Sequence, residues 1–152
     1  MKKRLHALSF LLLALGGTTA LPAGEVKPVP WPHKDSDIAV DPDVRFGALD
    51  NGLRYAIRRN AEPPGRVSLR LHIAAGSLHE AEDQRGVAHF LEHMVFNGSR
   101  NFPDVENLLG RMQRLGIAFG AHANAYTSFD ETVYMLNLPN LEKDTLKLGF
   151  EV

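Results

Sequence analysis

The spacing of hydrophobic positions changes along the chain from residue 44 onward, and each spacing predicts a type of element. In 67–73 every second residue is apolar, which predicts a half-buried strand. The segments 123–127 and 132–138 predict two further strands on either side of a short polar turn. Asp50-Asn51-Gly52 separates two apolar runs and predicts a β-hairpin, because Asn-Gly accepts the positive φ of a tight turn. Together these segments indicate a sheet of short strands.

Three other segments carry apolar residues at helical spacing. The first helix starts near Gly86, and Asn97-Gly98 provides its stop signal. We expect its apolar stripe to face the core; the stripe comprises Val87, Phe90, Leu91, Met94 and Val95. A second helix follows Pro103 and ends at Gly116, and Asn140 is predicted to be the N-cap of a third. Because helices interleave with adjacent antiparallel strands, the predicted fold class is α+β, with helices packed on a mixed or antiparallel sheet.

Residues 1–20 have the pattern of a secretory signal peptide. A basic stretch at 2–4 precedes an apolar run at 7–15, and Thr18 and Ala20 are the small residues that a cleavage site requires. A stable membrane anchor is disfavoured, because the apolar run is much shorter than the about 20 residues that a spanning helix needs. We therefore expect an exported, periplasmic protein.

The next segment, 21–43, is predicted to be a proline-rich linker. It holds five of the nine prolines, and proline disfavours helix both at its own position and at the residue before it. We expect an extended tether in which Trp31 and His33 could pack back onto the domain that begins at residue 44.

Composition and charge narrow the possible partners and ligands. The chain is 44% hydrophobic and 23% charged, as in ordinary globular proteins, and its formal net charge is −1. Since it has no basic stripe, we expect no nucleic-acid partner. It has no cysteine, so a metal ion would have to be held by histidine and carboxylate side chains.

The candidate chemistry lies in His89-Phe90-Leu91-Glu92-His93 on the first helix. Residues four apart on a helix lie one above the other, with Cβ atoms about 5–6 Å apart, so His89 and His93 can converge on one zinc ion. Glu92 lies on the flank of the same face and is the predicted general base for a water on the metal. The alternative is an amphipathic helix whose histidines are satisfied by hydrogen bonds, but the separate apolar stripe favours the metal.

The motif and its surroundings resemble the pitrilysin/insulinase family of zinc metallopeptidases, which carry the inverted H-x-x-E-H motif. The resemblance rests on the run from Gly86 to Ser99, on Phe102-Pro103 and on Asn124-Ala125-Tyr126-Thr127, in the order found in the family. The chain is most similar to bacterial periplasmic members. The resemblance implies an endopeptidase that hydrolyses peptides or small proteins with one Zn²⁺, Glu92 assisting the attack of water.

The resemblance also implies a third zinc ligand, a glutamate on a later helix beyond residue 152. None of the downstream glutamates stands in that context; they are Glu106, Glu131, Glu142 and Glu151. We therefore expect 44–152 to be the N-terminal part of an insulinase-like domain that needs the remaining domains of the same polypeptide, and the chain alone to be inactive. A natural short product is the alternative.

The family's substrate strand corresponds to Asn124, Ala125, Tyr126 and Thr127. The resemblance implies that a peptide pairs with its backbone as an added strand, whereas an internal strand with solvent-facing polar side chains is the alternative. For the whole protein, a non-catalytic peptide-binding or structural subunit and a simple periplasmic metal-binding protein are the other hypotheses. The complete set of His89, Glu92 and His93 favours the peptidase.

Overall fold

The structure is a computed structural model, and it describes residues 29–152. The predicted signal peptide and the first part of the predicted linker lie outside the described residues. The chain divides into two compact units, with the boundary between Arg59 and Asn60.

The first unit contains the predicted hairpin. Strands β1 (Val44–Ala48) and β2 (Arg54–Arg58) pair antiparallel, and Gly52 in their turn has a φ of 85°. The preceding segment is not fully extended, because Pro32–Asp35 forms a 3₁₀ helix. Trp31 packs edge-on against the ring of Phe46 in β1, with ring centroids 4.9 Å apart. Part of the predicted linker therefore packs on the hairpin.

The second unit is built on a three-stranded antiparallel sheet. Its strands are β3 (Val67–Ile73), β4 (Ala123–Thr127) and β5 (Thr132–Leu138), in the order β3-β5-β4. All three strands have the predicted bounds. Within the described residues β4 is an edge strand, because β5 is the one strand it pairs with; an isolated bridge joins its first residue, Ala123, to Phe119. Ala125 pairs with Tyr134 and Thr127 with Thr132, so these four side chains share one face of the sheet.

The second unit also contains two short 3₁₀ helices, at Ser77–His79 and Glu82–Gln84, and three α-helices: α1 (Val87–Val95), α2 (Val105–Arg114) and α3 (Lys143–Glu151). The prediction that Asn140 caps α3 is wrong, because Glu142 is the N-cap. The Asn140 side chain instead accepts a hydrogen bond from the Glu142 amide at 3.0 Å, a turn that precedes the helix. No helix within residues 29–152 has both the length and the hydrophobicity that a membrane crossing requires.

The core of the second unit lies between α2, α3 and the sheet. Its buried hydrophobic residues are Phe102, Leu108, Met112, Ile117, Ala123, Leu138 and Leu148. Helix α2 contributes Leu108 and Met112 to this core, and both belong to the apolar residues whose spacing predicted the helix. Helix α1 contributes no residue to this core, although it contacts β4.

Candidate metal centre

The start of α1 is fixed by a side chain from outside the helix. Gly86 is the N-cap with a φ of 90°, a conformation that glycine adopts without strain, and it has no side chain of its own to cap the helix. The Glu80 carboxylate accepts hydrogen bonds from the Gly86 amide at 2.7 Å and from the Ala88 amide at 2.8 Å. These two bonds hold the pKa of Glu80 below its usual value. The ionised carboxylate thus satisfies two amide groups at the start of the helix.

The two motif histidines converge as their spacing predicts. Their Nε2 atoms are 3.1 Å apart, and both side chains are exposed. Two nitrogen ligands at about 2.0–2.1 Å from a tetrahedral zinc ion would be about 3.3–3.4 Å apart. The 3.1 Å spacing is therefore close to that of two ligands on one zinc ion, and it also lies within hydrogen-bond distance for the two rings.

Glu92, unlike the two exposed histidines, is buried. It is the buried residue of α1, with 9% of its surface exposed, and its Oε2 atom accepts a hydrogen bond from Thr127 Oγ1 at 2.6 Å. The burial of Tyr134, and secondarily the negative charge of Glu92, raise the pKa of the Tyr134 hydroxyl. The carboxylate therefore lies at the contact between α1 and the sheet.

The expectation that the apolar stripe of α1 faces the core is wrong for the described residues, since Phe90 is 65% exposed and Leu91 57% exposed. Five residues along a helix place Glu92 about 140° around the axis from Val87, so the two side chains leave the helix in different directions. Val87 and Leu91 instead line a cavity of about 250 Å³ that also borders Tyr134. The side that carries Glu92 makes the contact with β4.

The four predicted substrate residues all lie in β4. The Tyr126 hydroxyl donates to Glu131 Oε1 at 2.8 Å, and this bond raises the pKa of Tyr126. The Ala125 amide donates to the side chain of Asn124 at 2.9 Å, so a peptide that used this amide would have to displace that bond. Of these four residues, Thr127 alone has a side chain that is hydrogen-bonded to the H-x-x-E-H motif, and its partner there is Glu92.

The predicted third ligand is not supplied by the described residues. In 29–152 no group of three or more histidine, cysteine, aspartate or glutamate side chains is arranged to hold a metal ion. Glu131 lies instead beside His72, with Oε2 3.0 Å from Nε2, and Glu151 lies 3.7 Å from the Lys147 ammonium. The described part of the chain therefore offers two histidine ligands and a neighbouring carboxylate.

Sequence reasoning missed two features of this centre. It assigned no role to Glu80, because no local pattern links this residue to amides six and eight residues later. It also missed the bond between Thr127 and Glu92, which are 35 residues apart in the chain. The one sequence signal that could have linked Thr127 to Glu92 is that the H-x-x-E-H motif and the segment 124–127 occur in the order found in the family.

Comparisons with known proteins agree with this architecture. The profile of the family described as Insulinase (Peptidase family M16) matches residues 55–147. The chain is 39% identical over 150 residues, 99% of its length, to the probable zinc protease PqqL of Haemophilus influenzae. It is 46% identical over 107 residues, 70% of its length, to the probable zinc protease PqqL of Escherichia coli.

A solved structure is also similar. The crystal structure of the periplasmic protease PqqL from Escherichia coli aligns with a TM-score of 0.68 at 44% identity, covering 72% of this chain and 12% of that one. The chain spans 15% of the length of the Haemophilus protein and 11% of the Escherichia protein. The likeness therefore concerns one part of much longer relatives, and within that part it supports the predicted α+β fold.

Proposed function

The chain belongs to the insulinase family (peptidase family M16), and on this premise we propose that the full-length protein is a zinc-dependent metalloendopeptidase that cleaves peptides or small proteins. The family resemblance seen in the motif is confirmed, and the similar bacterial proteins are named as probable zinc proteases. The observation that carries the proposal is the 3.1 Å separation of the His89 and His93 Nε2 atoms on the helix that also bears Glu92. Two ring nitrogens at this distance are already close to the spacing that one shared zinc ion requires.

In the proposed reaction each residue of the motif has one task. His89 and His93 would hold the zinc ion through Nε2. Zinc, when bound, supplies the Lewis acidity that lowers the pKa of water and polarises a peptide carbonyl. Glu92 accepts the proton of the attacking water and then passes it to the leaving amine.

The proposal includes a third ligand. We infer that a glutamate beyond residue 152 completes the site, and that the chain alone would bind zinc weakly and cleave nothing. Three protein ligands and one open position are usual for catalytic zinc. The small share of the relatives' length that the chain spans is compatible with this.

The proposed substrate site is the free edge of β4. A peptide would pair with the backbone of 124–127 as a fourth strand next to β4, and the Ala125 amide would exchange its bond to Asn124 for one to the substrate. Because β4 contacts α1 directly, a peptide held there would lie close to the motif helix. The edge position of β4 supports this over an internal strand.

The proposed location is the periplasm. The leader pattern of residues 1–20 favours export, and the similar Escherichia coli structure is that of a periplasmic protease. Fractionation of cells that express the full-length protein tests this: we expect the mature protein, shortened after Ala20, in the periplasmic fraction.

The test of the proposed reaction is the variant Glu92→Gln in the full-length protein. We expect one zinc ion per molecule, as in the wild type, and a loss of peptide hydrolysis of about 10²–10⁴-fold, the usual contribution of a general base. Glu106→Gln, an exposed glutamate on α2, is the matched control and should keep full activity. Cleavage at the wild-type rate by Glu92→Gln would refute the role of Glu92. A wild type that binds peptide and zinc without hydrolysis would favour the non-catalytic subunit instead.

A further inference from the structure

One hydrogen bond joins the predicted substrate strand to the predicted base. Thr127 Oγ1 donates to Glu92 Oε2 at 2.6 Å, and Glu92 is almost fully buried. A hydroxyl–carboxylate bond of about 2.5–2.7 Å is charge-assisted and is among the stronger hydrogen bonds in proteins. The bond occupies one oxygen of the carboxylate and leaves Oε1 to accept a proton.

The Thr127 hydroxyl is presented from a well-fixed position. Thr127 is the last residue of β4 and pairs in register with Thr132, the first residue of β5. The Thr132 side chain is in turn bonded to the Ala75 carbonyl at 2.9 Å, and the Ser128 amide to the Glu131 carbonyl at 2.8 Å. The end of the β4–β5 hairpin is thus held from both sides, and the β-branched side chain of Thr127 has few alternative rotamers.

We propose that Thr127 is a positioning residue for Glu92: its hydroxyl fixes the carboxylate so that Oε1 is the oxygen that receives the proton of the attacking water. This deepens the proposed function and rests on it. It also changes the role predicted for Thr127. The side chain serves the base, while the backbone of the same strand stays available for the peptide. One strand would then align both the substrate and the group that activates water.

The test replaces Thr127 in the full-length protein by valine, which keeps the shape and the branching but removes the donor. We expect Thr127→Val to retain one zinc ion, to change KM by less than about twofold, and to lower kcat about 10- to 100-fold, the size expected for one lost hydrogen bond to a charged group. Thr127→Ser restores the hydroxyl and should recover most of kcat.

Thr132→Val is the matched control, because Thr132 is the register partner of Thr127 and its hydroxyl bonds to a backbone carbonyl rather than to Glu92. We expect it to lower stability and to lower kcat far less than Thr127→Val does, because strand pairing and the bond between the Ser128 amide and the Glu131 carbonyl still hold the end of the hairpin. An equal fall of kcat in both valine variants would assign Thr127 a structural role and overturn the proposal. An unchanged kcat in Thr127→Val, or a change confined to KM, would also overturn it.

A second measurement does not depend on turnover. Crystal structures of the zinc-loaded wild type and of Thr127→Val should show the Glu92 carboxylate in different rotamers or with raised mobility in the variant. An identical, well-ordered Glu92 in both would contradict the positioning role. If the wild type proved inactive, the proposed peptidase function would fail, while the orientation of Glu92 in these structures would still decide the role of Thr127.

Discussion

Helices α1 and α2 lie in the same unit and have similar lengths, but they are held in place by different means. Helix α2 has a local cap, since Asp104 accepts from the Glu106 amide at 2.9 Å, and it buries Leu108 and Met112 in the core. Helix α1 is capped by the distant Glu80 and buries Glu92. Apolar burial stabilises a fold, whereas burial of a carboxylate costs free energy unless hydrogen bonds compensate for it. Helix α2 therefore contributes to the hydrophobic core, whereas α1 buries a carboxylate at its contact with the sheet, as the proposed role of Glu92 requires.

The largest expected effect is on the zinc content of the protein when a proposed ligand on α1 is removed. His93→Ala in the full-length protein removes one of the two proposed imidazole ligands on α1, so we expect the zinc content to fall from one ion to nearly none and peptide hydrolysis to be abolished. Metal analysis by mass spectrometry and a peptide cleavage assay measure both. His122→Ala is the matched control, since His122 lies before β4 and bonds to the Ala118 amide; it should keep zinc and activity. A zinc-replete, active His93→Ala protein would remove the distinction.

The second expected effect falls on α2. Leu108→Ala deletes a fully packed side chain, and such changes cost about 2–5 kcal/mol of stability. Native-state hydrogen exchange in the α2 amides measures the loss, and the folded variant should still carry one zinc ion. If Leu108→Ala lost its zinc while α2 remained protected from exchange, the two helices would not have the separate roles assigned to them.

The third expected effect concerns β4. Its first residue, Ala123, lies in the core with α2, and its last residue, Thr127, bonds to Glu92 on α1. Ala125→Pro removes the amide between them and its bond to Asn124. We expect KM for a peptide to rise about tenfold, the size of one lost backbone bond, with the zinc content unchanged. Ala121→Pro, exposed and outside the strand, is the control. Unaltered kinetics of Ala125→Pro would reject pairing of substrate along β4.

The smallest expected effect concerns the cap of α1. Glu80→Gln retains one good acceptor where the carboxylate offers two, so exchange protection of the Gly86 and Ala88 amides should fall while that of α2 stays constant. Because the folded pKa of Glu80 is lowered, the cap stabilises the helix fully above the usual glutamate pKa of about 4.3 and is lost as the pH falls through the lower folded value. The difference between variant and wild type should therefore vanish in acid.

Glu82→Gln, in the same loop and paired with Arg85, is the control for this prediction. Equal protection of the Gly86 and Ala88 amides in Glu80→Gln and in the wild type at neutral pH would contradict the role of Glu80 as a cap.

Local patterns predicted most of the fold. The Asn-Gly turn, the alternation in β3 and the apolar spacing of α2 each depend on neighbours within a few residues, and the structure contains all three elements. The cap of α3 was misplaced because Asn140 and Glu142 both precede the helix, and only backbone geometry distinguishes a turn from a cap. The prediction that the apolar stripe of α1 faces the core failed because the spacing identifies an apolar face but does not show which part of the protein packs against it.

The candidate centre could be predicted only as far as its residues lie on one helix. The i, i+4 spacing alone is enough to bring His89 and His93 together, because helix geometry places such residues one above the other. The partners of that helix, Glu80 and Thr127, meet it through tertiary contacts, and no periodicity in the sequence encodes a hydrogen bond between residues 35 positions apart.

The most direct test of the central claim is a zinc-edge anomalous diffraction map of the zinc-loaded full-length protein. The account predicts a single zinc peak about 2.0–2.1 Å from Nε2 of both His89 and His93, with Glu92 outside the ligand shell and still bonded to Thr127. A zinc peak elsewhere, or a zinc ion that Glu92 ligates directly in place of either histidine, would contradict it.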